Sequence, residues 1–272
     1  MKIWTELKCL KGELLFRNFL VNKMASTKKI SKIPLLSLIL NVYNEEKNVE
    51  GVFYGIKKIL DKSKISYEII FSESGSMDNS YNILKKIEKK YPKLVSVLKV
   101  KENSPGAKLQ AGFKKAKGKY IGFMCSDGQD DQSIIPKCID ILEKNSAKLV
   151  KGKRINRENF KRFVISKCYN LIAFILFGTN SSDINGHPKI FPREILPLLK
   201  LESKNESIDL EIFIKCKMLG FKIIELPVTE KIREEGDSTV GLKVILKFVK
   251  DMLSYKFGYK RKLLKKLIEE KS

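Results

Sequence analysis

Between residues 34 and 150 the chain repeats one pattern: a short apolar run, a polar loop, and a segment with apolar residues at helical spacing. The short runs predict strands at residues 35–42, 67–71, 94–100 and 120–124, and another strand that starts at Leu149. The longer segments predict helices at residues 48–61, 81–91, 107–116 and 134–142. This alternation indicates an α/β fold with a doubly wound, mostly parallel sheet flanked by helices.

Three polar loops follow predicted strands, at Tyr43–Glu46, Ser72–Asp78 and Ser126–Asp131. In a doubly wound sheet, ligands bind at the carboxyl ends of the strands. We therefore expect the three loops to converge at one rim of the sheet and to form the functional site.

The basic excess of the chain is concentrated at its two ends. The 272 residues include 54 Lys and Arg against 31 Asp and Glu, a formal net charge of +23. Residues 1–33 contribute +6 (eight basic, two acidic), and residues 240–272 contribute +7 (ten basic, three acidic). Because both ends also have apolar residues at helical spacing, we expect a central domain at 34–241 between basic amphipathic extensions at 1–33 and 242–272. The C-terminal pattern fits either an interfacial helix on an anionic membrane surface or a core-packed helix with a solvated lysine tail.

Composition excludes several classes of protein. A hydrophobic content of 43% argues against disorder over the whole length. Five scattered cysteines with no CxxC pair, and His187 as the one histidine, exclude a zinc finger or ribbon. The longest apolar run, Leu171–Phe177, has seven residues, well below the ~18–20 that cross a bilayer. We expect reduced thiols and a cytoplasmic protein, peripheral at the inner face of the membrane.

The loops themselves favour metal and phosphate chemistry. Neither a GxGxxG nor a GxxxxGK string follows the first strand, and no GxSxG elbow supports a serine hydrolase that would use His187 as its base. The acidic segment Asp127–Asp131 offers oxygen ligands at the end of a strand, which suit Mg²⁺ or Mn²⁺ bound together with a diphosphate. Taken alone, the segment also fits a polar turn that caps the helix near Ile134, but the convergence of three loops favours a metal site.

Seven strings between Pro34 and Leu242 occur in an order that resembles glycosyltransferase family 2, a family with the GT-A fold. They lie at residues 38–45, 72–80, 124–129, 152–154, 162–170, 183–191 and 233–238. The branch that the chain resembles most is that of the dolichyl- and polyprenyl-phosphate sugar synthases. The resemblance implies an inverting, metal-dependent glycosyltransferase that uses a nucleotide-sugar donor.

On the donor side, the resemblance implies that five residues bind the nucleotide: Asn41, Tyr43, Glu45, Glu73 and Ser126. Glu73 stands where the family has a carboxylate that contacts the base. In the string that resembles the metal segment DxDxQ, Cys125 replaces the first carboxylate. Because a thiol is a poor ligand for a hard cation, metal binding is assigned to Asp127 and Gln129.

The remaining strings imply the phosphate and acceptor contacts. Arg154 and Arg233 are expected to face the diphosphate, while Arg162 and Lys189 are expected to position the acceptor. If the acceptor is a lipid phosphate, its oxygen is already anionic and needs little help from a base. If it is a hydroxyl of a glycan, Asp183 is the candidate base.

Two other classes of function fit parts of the sequence. Cys125 and Ser74, which replace family carboxylates, suggest a degenerate module that binds a nucleotide sugar without turnover. The high charge suggests nucleic acid, but no nucleic-acid-binding signature accompanies it, so we expect no specific nucleic-acid partner. The sequence is compatible with a homo-oligomer.

Overall fold

The computed structural model describes residues 33–156, 160–179, 181, 183–229, 250, 252–253 and 256–258. Within them, seven strands form one sheet: β1 (Leu36–Val42), β2 (Tyr67–Glu73), β3 (Val95–Lys99), β4 (Tyr120–Cys125), β5 (Leu149–Asn156), β6 (Lys189–Pro192) and β7 (Ile223–Thr229). The helices are α1 (Val49–Lys62), α2 (Ser80–Lys90), α3 (Pro105–Lys115), α4 (Ile135–Glu143), α5 (Phe160–Phe177), α6 (Leu196–Leu199) and α7 (Ile208–Met218). Short 3₁₀ turns at Gln132–Ile134 and Arg193–Ile195 lead into α4 and α6.

The strand order is β3-β2-β1-β4-β6-β5-β7. Strands β3, β2, β1 and β4 run parallel, as do β5 and β7, whereas β6 is antiparallel to both β4 and β5. The predicted α/β fold with a mostly parallel, doubly wound sheet flanked by helices is therefore confirmed. The parallel pairing brings the ends of β1, β2 and β4 side by side, with Asn41 opposite both Ser72 and Cys125.

Helices cover both faces of the sheet. Leu38 and Leu40 of β1 pack in one core cluster with residues of α1, α2 and α4, whereas Ile39 packs in a second cluster with residues of α3, α5 and α7. A strand buried on both faces has no polar side to alternate with. This is why the strands appear in the sequence as continuous apolar runs.

Two differences from the predicted elements affect the site. Strand β2 extends two residues beyond the predicted 67–71, so Ser72 and Glu73 belong to the strand itself. The string at residues 183–191, called the acceptor loop below because it carries the predicted acceptor residue Lys189, ends in β6, which inserts between β4 and β5. Its four residues are all buried, so they show no alternation of apolar and polar positions that predicts a strand.

The predicted extensions lie largely outside the described residues, which include only Ile33 of the first. Of the C-terminal extension, Met252 is buried in the second core cluster, whereas Leu253 and Phe257 are exposed. The packing of Met252 favours the core-packed interpretation for that turn of helix. No helix in the described part of the chain is both long enough and apolar enough to cross a membrane.

Candidate functional site

The first two polar loops are joined by hydrogen bonds across the rim. The backbone N–H of Asn44 donates to Ser76 Oγ (3.1 Å), and that of Glu45 donates to Ser80 Oγ (2.8 Å). Glu46 N–H donates to Asp78 Oδ2 (3.0 Å). These contacts fix the loop after β1 against the start of α2, so the nucleotide-binding residues predicted there are held by backbone contacts.

The five predicted nucleotide-binding residues lie at the adjoining ends of β1, β2 and β4. Ser126 Oγ donates to the carbonyl oxygen of Asn41 (2.7 Å), which ties β4 to β1. The Asn41 amide donates to Pro105 O (3.1 Å), while its Oδ1 is buried and has no hydrogen-bond partner among the described residues. Glu45 accepts from Asn48 Nδ2 (2.7 Å), and Tyr43 is exposed at the rim. The structure thus brings this set together, although their contacts with a nucleotide stay a prediction.

Lys108 is a buried cation at the same rim that the sequence pattern did not single out. Its Nζ lies 3.5 Å from Val42 O, 3.3 Å from Asn103 Oδ1 and 5.7 Å from the centre of the Tyr43 ring. Burial lowers the pKa of Lys108, and the negative charges of Glu73 and Glu45 oppose that shift. One feature of the sequence could have indicated this burial. Lys108 lies on the apolar face of α3, beside the buried Leu109 and four residues before the buried Gly112.

The predicted metal segment follows β4 directly. Asp127 is half-buried, and its Oδ1 accepts the backbone N–H of Gln129 (3.1 Å), whose side chain is buried. Asp130 turns back toward the strand, where its Oδ2 accepts the N–H of Cys125 (2.8 Å). Burial raises the pKa of Asp130, and the charge of Asp127 adds to that shift, whereas His187 in its protonated form opposes it.

His187 faces the end of β4 from the loop before β6. Its Nδ1 lies 3.7 Å from Cys125 Sγ and 3.8 Å from Asp130 Oδ2, and its Nε2 lies 3.2 Å from Asp209 Oδ1. Lys189, fully buried on β6, pairs with the same oxygen of Asp209. Burial opposes the ionisation of Asp209, yet the charge of Lys189 and the hydrogen bond from His187 hold the pKa of that carboxyl well below its usual range.

Arg154, at the carboxyl end of β5, is held by Asp183. Its Nε and its backbone N–H both donate to Asp183 Oδ2 (2.9 and 3.0 Å), and Nη2 donates to Oδ1 (2.7 Å). Although burial acts in the opposite direction, these hydrogen bonds and the arginine charge hold the pKa of Asp183 well below its usual range. The charge of Arg154 also acts on Cys125 and Asp130, which places the guanidinium in the same electrostatic environment as the metal segment.

Two glycines allow this arrangement. A Cβ on Gly152 would lie 2.1 Å from the carbonyl oxygen of His187, and a Cβ on Gly186 would lie 2.3 Å from the carbonyl oxygen of Gly152. Any side chain at either position would therefore push the 183–187 loop away from β5. The fully buried Lys151 fixes the loop further, because its Nζ donates to the carbonyl oxygens of Asp183 (2.5 Å) and Gly152 (2.8 Å).

The predicted acceptor residues differ in what the structure shows of them. Lys189 is covered by protein and paired with Asp209, and Asp183 is engaged by Arg154. Arg162 lies on α5, but its side chain is outside the described part of the chain, and Arg233 is outside the described residues altogether. The acceptor roles of Arg162 and Lys189 and the base role of Asp183 stay predictions, and the geometry of Asp183 counts against its role as a base.

The donor set at the rim fits a divalent metal ion. The ligand atoms of Cys125, Asp130 and His187 lie within 4.8 Å of one another, and the Asp127 carboxylate acts on two of these groups. Three carboxyl or thiol groups that share one partly buried region repel one another when ionised, and a cation between them removes that repulsion.

The comparison with known proteins identifies the family. The model of the family "Glycosyl transferase family 2" matches residues 37–197, and the chain belongs to this family. Among curated relatives, the dolichol-phosphate mannosyltransferase of Pyrococcus furiosus is 29% identical over 223 residues, which cover 79% of this chain and 62% of that protein. The dodecaprenyl-phosphate galacturonate synthase of Rhizobium johnstonii is 27% identical over 229 residues, 82% of this chain and 66% of that protein. The chain thus spans less than two thirds of the length of either relative.

Solved structures agree on the fold. Glucosyl-3-phosphoglycerate synthase from Mycobacterium tuberculosis, in complex with Mn²⁺, UDP and glucosyl-3-phosphoglycerate, superposes with a TM-score of 0.64 at 17% identity, over 86% of each chain. The same enzyme with Mn²⁺, UDP-glucose and phosphoglyceric acid gives a TM-score of 0.65 at 17% identity, over 86% of this chain and 85% of that one. At this identity the likeness supports the GT-A architecture alone.

Proposed function

We propose that this chain is an inverting glycosyltransferase that moves a sugar from a nucleotide-sugar donor to a lipid phosphate of the polyprenyl or dolichyl type at a membrane surface. The family supports the reaction class, and the relatives named for dolichol phosphate and dodecaprenyl phosphate support the acceptor. A divalent ion at Asp127 would offset the charge of the departing diphosphate. The Mn²⁺ and UDP bound by the solved neighbours support this choice.

The observation that carries the choice of acceptor is the pairing of the carboxylates on the acceptor side. Asp183 is bound at two points by Arg154, and Asp209 is paired with Lys189 and His187. Both have a lowered pKa, and a carboxylate with a lowered pKa is a weak base. A hydroxyl acceptor must lose a proton during transfer, whereas a phosphate oxygen is already anionic. The pairing therefore favours a phosphate acceptor.

The proposed reaction needs no proton transfer. A phosphate oxygen of the acceptor attacks the anomeric carbon as the bond from that carbon to the diphosphate oxygen breaks, and the nucleoside diphosphate leaves with the bonding electrons. Arg154, oriented by Asp183, would stabilise the charge that develops on the leaving group. Asn41, Tyr43, Glu45, Glu73 and Ser126 would hold the nucleoside.

An exposed apolar face beside the acceptor loop supports the membrane location. Leu171, Phe174 and Ile175 of α5 are 58%, 53% and 68% exposed, and their spacing places them on one face of the helix. The buried part of α5 contacts the acceptor loop, since Asn170 Oδ1 accepts the N–H of Ile184 (3.0 Å). An apolar face of this kind suits contact with the lipid that carries the acceptor phosphate. The inner face of the membrane and the role of the basic ends belong to the same proposal.

The direct test is a transfer assay with the full chain, UDP-, GDP- and dTDP-sugars, a divalent ion and polyprenyl phosphate in detergent. We expect one donor to give a glycolipid and free nucleoside diphosphate in equal amounts. Asp127→Asn should abolish both products. Nucleotide binding without transfer across the whole panel would favour the second candidate, a module without turnover, which the uncharged Cys125 and Ser74 suggest.

A further inference from the structure

Three ligand atoms of different chemical kinds converge at the end of β4. The thiol of Cys125 comes from the last residue of the strand, the carboxylate of Asp130 from the loop after it, and the imidazole of His187 from the loop before β6. The distance between the sulfur and the ring nitrogen is close to that in a tetrahedral metal centre. Zinc–sulfur and zinc–nitrogen bonds of about 2.3 and 2.0–2.1 Å place the two ligand atoms about 3.6 Å apart at the tetrahedral angle. Here Cys125 Sγ and His187 Nδ1 are 3.7 Å apart.

The far side of the imidazole is arranged as it is around metal-binding histidines. His187 Nε2 faces Asp209 at 3.2 Å, and a hydrogen on Nε2 that donates to this carboxylate leaves the lone pair of Nδ1 directed at Cys125 and Asp130. A carboxylate behind a ligating histidine is the usual outer contact, since it fixes the ring and the tautomer. The Phe123 ring packs edge-on against the imidazole at 5.5 Å and limits its rotation.

Acidic groups surround the imidazole at this position. The Asp130 carboxylate lies 3.8 Å from His187 Nδ1, and the Asp209 carboxylate lies 3.2 Å from Nε2. A cation that replaces the thiol proton of Cys125 would reduce the repulsion among these groups and would gain a thiolate ligand. Thiolate with imidazole is a soft to borderline donor pair that suits Zn²⁺, whereas Mg²⁺ prefers an all-oxygen shell.

We propose that Cys125, Asp130 and His187 bind a zinc-type divalent ion, with Asp209 as the outer partner of the histidine, and that this site selects against Mg²⁺. The inference rests on the proposed function only in placing that ion beside the donor diphosphate. Three protein ligands would leave a fourth position open, as in catalytic zinc sites, for a diphosphate oxygen or for Asp127, which the proposed function assigns to the same ion.

Co²⁺ tests the site without donor, acceptor or turnover, because a cobalt–thiolate bond gives a charge-transfer band that a cobalt–carboxylate bond does not. We expect the full chain to bind one Co²⁺ with this band, Zn²⁺ to abolish it, and a large excess of Mg²⁺ to leave it in place. Cys125→Ser should remove the band, and Asp209→Asn should weaken binding by about 10- to 100-fold. Cys168→Ser, which removes an exposed thiol from α5, is the matched control and should bind as the wild type does.

Absence of the band, an unchanged band in Cys125→Ser, or displacement of Co²⁺ by Mg²⁺ would each overturn the proposal. Circular dichroism of each variant separates loss of the site from loss of the fold. The result is independent of transfer: a chain that shows the cobalt band without forming glycolipid refutes the transferase and keeps the metal site. A chain that forms glycolipid without showing the cobalt band refutes the metal site and keeps the transferase.

Discussion

Arg154 and Asp183 form a two-point ion pair that uses both oxygens of the carboxylate, with Nε 2.9 Å from Oδ2 and Nη2 2.7 Å from Oδ1. The pair joins the carboxyl end of β5 to the loop that carries His187. It fixes the plane of the guanidinium, so the arginine is oriented before any ligand arrives. The same contact makes Asp183 a positioning residue in the proposed mechanism.

Asp183→Asn should lower both stability and activity. The change leaves a largely buried arginine with a neutral partner, and breaking a buried ion pair costs about 3–5 kcal/mol of unfolding free energy. Chemical denaturation measures this loss, and Asp140→Asn is the control because its pair with Lys144 is exposed. Transfer should fall in kcat but persist. Complete loss of transfer in a folded Asp183→Asn protein would restore the prediction that this residue is the base.

Asp127→Asn should abolish transfer and leave the melting temperature nearly unchanged. The carboxylate is half-buried and has no ion-pair partner among the described residues, so its removal costs little stability. Asp131→Asn in the same loop is the matched control, because an asparagine can still accept the Ser133 N–H that Asp131 accepts at 2.9 Å. Equal activity of the two variants would remove Asp127 from the metal site.

Lys108→Met should raise the KM for the nucleotide sugar by roughly 10-fold or more, since a hydrogen bond to a charged group is worth about 1.5–3 kcal/mol. Methionine keeps the length of the buried stem, so the fold should survive. Lys114→Met on the exposed side of the same helix is the control. An unchanged KM would mean that Lys108 serves the packing of the rim and does not contact the donor.

Because Lys151 is buried, we predict that the unfolding free energy of the protein increases at alkaline pH. Burial lowers the pKa of Lys151 from 10.5 to about 8 in the folded chain. Between these values the unfolded chain binds more protons than the folded one, so the unfolding free energy rises with pH by up to about 1.4 kcal/mol per unit. The difference in unfolding free energy between wild type and Lys151→Met should therefore increase from pH 8 toward pH 10. A difference that is flat or decreasing would show that Lys151 stays charged throughout.

We predict that polar substitutions on the apolar face of α5 weaken membrane binding. The double variant Leu171→Ser with Ile175→Ser should float less well with anionic phospholipid vesicles, because both side chains are exposed and available to lipid. Ile33→Ser removes an equally exposed apolar side chain before β1 and should bind as the wild type does. If the two proteins float equally, the face on α5 does not contact the membrane.

The sequence pattern predicted the strands and helices of the first half of the sheet because each is a local signal. Apolar runs mark strands buried on both faces, and the boundaries shift by about two residues at most, as at Pro105 and Glu73. The sequence pattern does not predict strand β6, because this segment has only four residues and pairs with β4 and β5 through tertiary contacts. The extensions at 1–33 and 242–272 remain predictions.

The site was predicted where one loop supplies the chemistry and missed where distant loops combine. In the sequence His187 is an isolated histidine, and Asp130 is one member of an acidic loop. Their contact with Cys125 depends on β6 lying antiparallel to β4, and the contact with Asp209 depends on the packing of α7. The sequence does not reveal that Lys108 is buried, because a single lysine in a helix is usually a solvated surface residue.

The central claim is best tested by the transfer of labelled sugar to polyprenyl phosphate by the purified full chain, measured beside a matched polyprenol that lacks the phosphate. We predict that labelled glycolipid forms with the phosphate and not with the polyprenol, because the paired carboxylates Asp183 and Asp209 are poor bases. Equal transfer to the free hydroxyl, or transfer only to a glycan acceptor, would contradict this account.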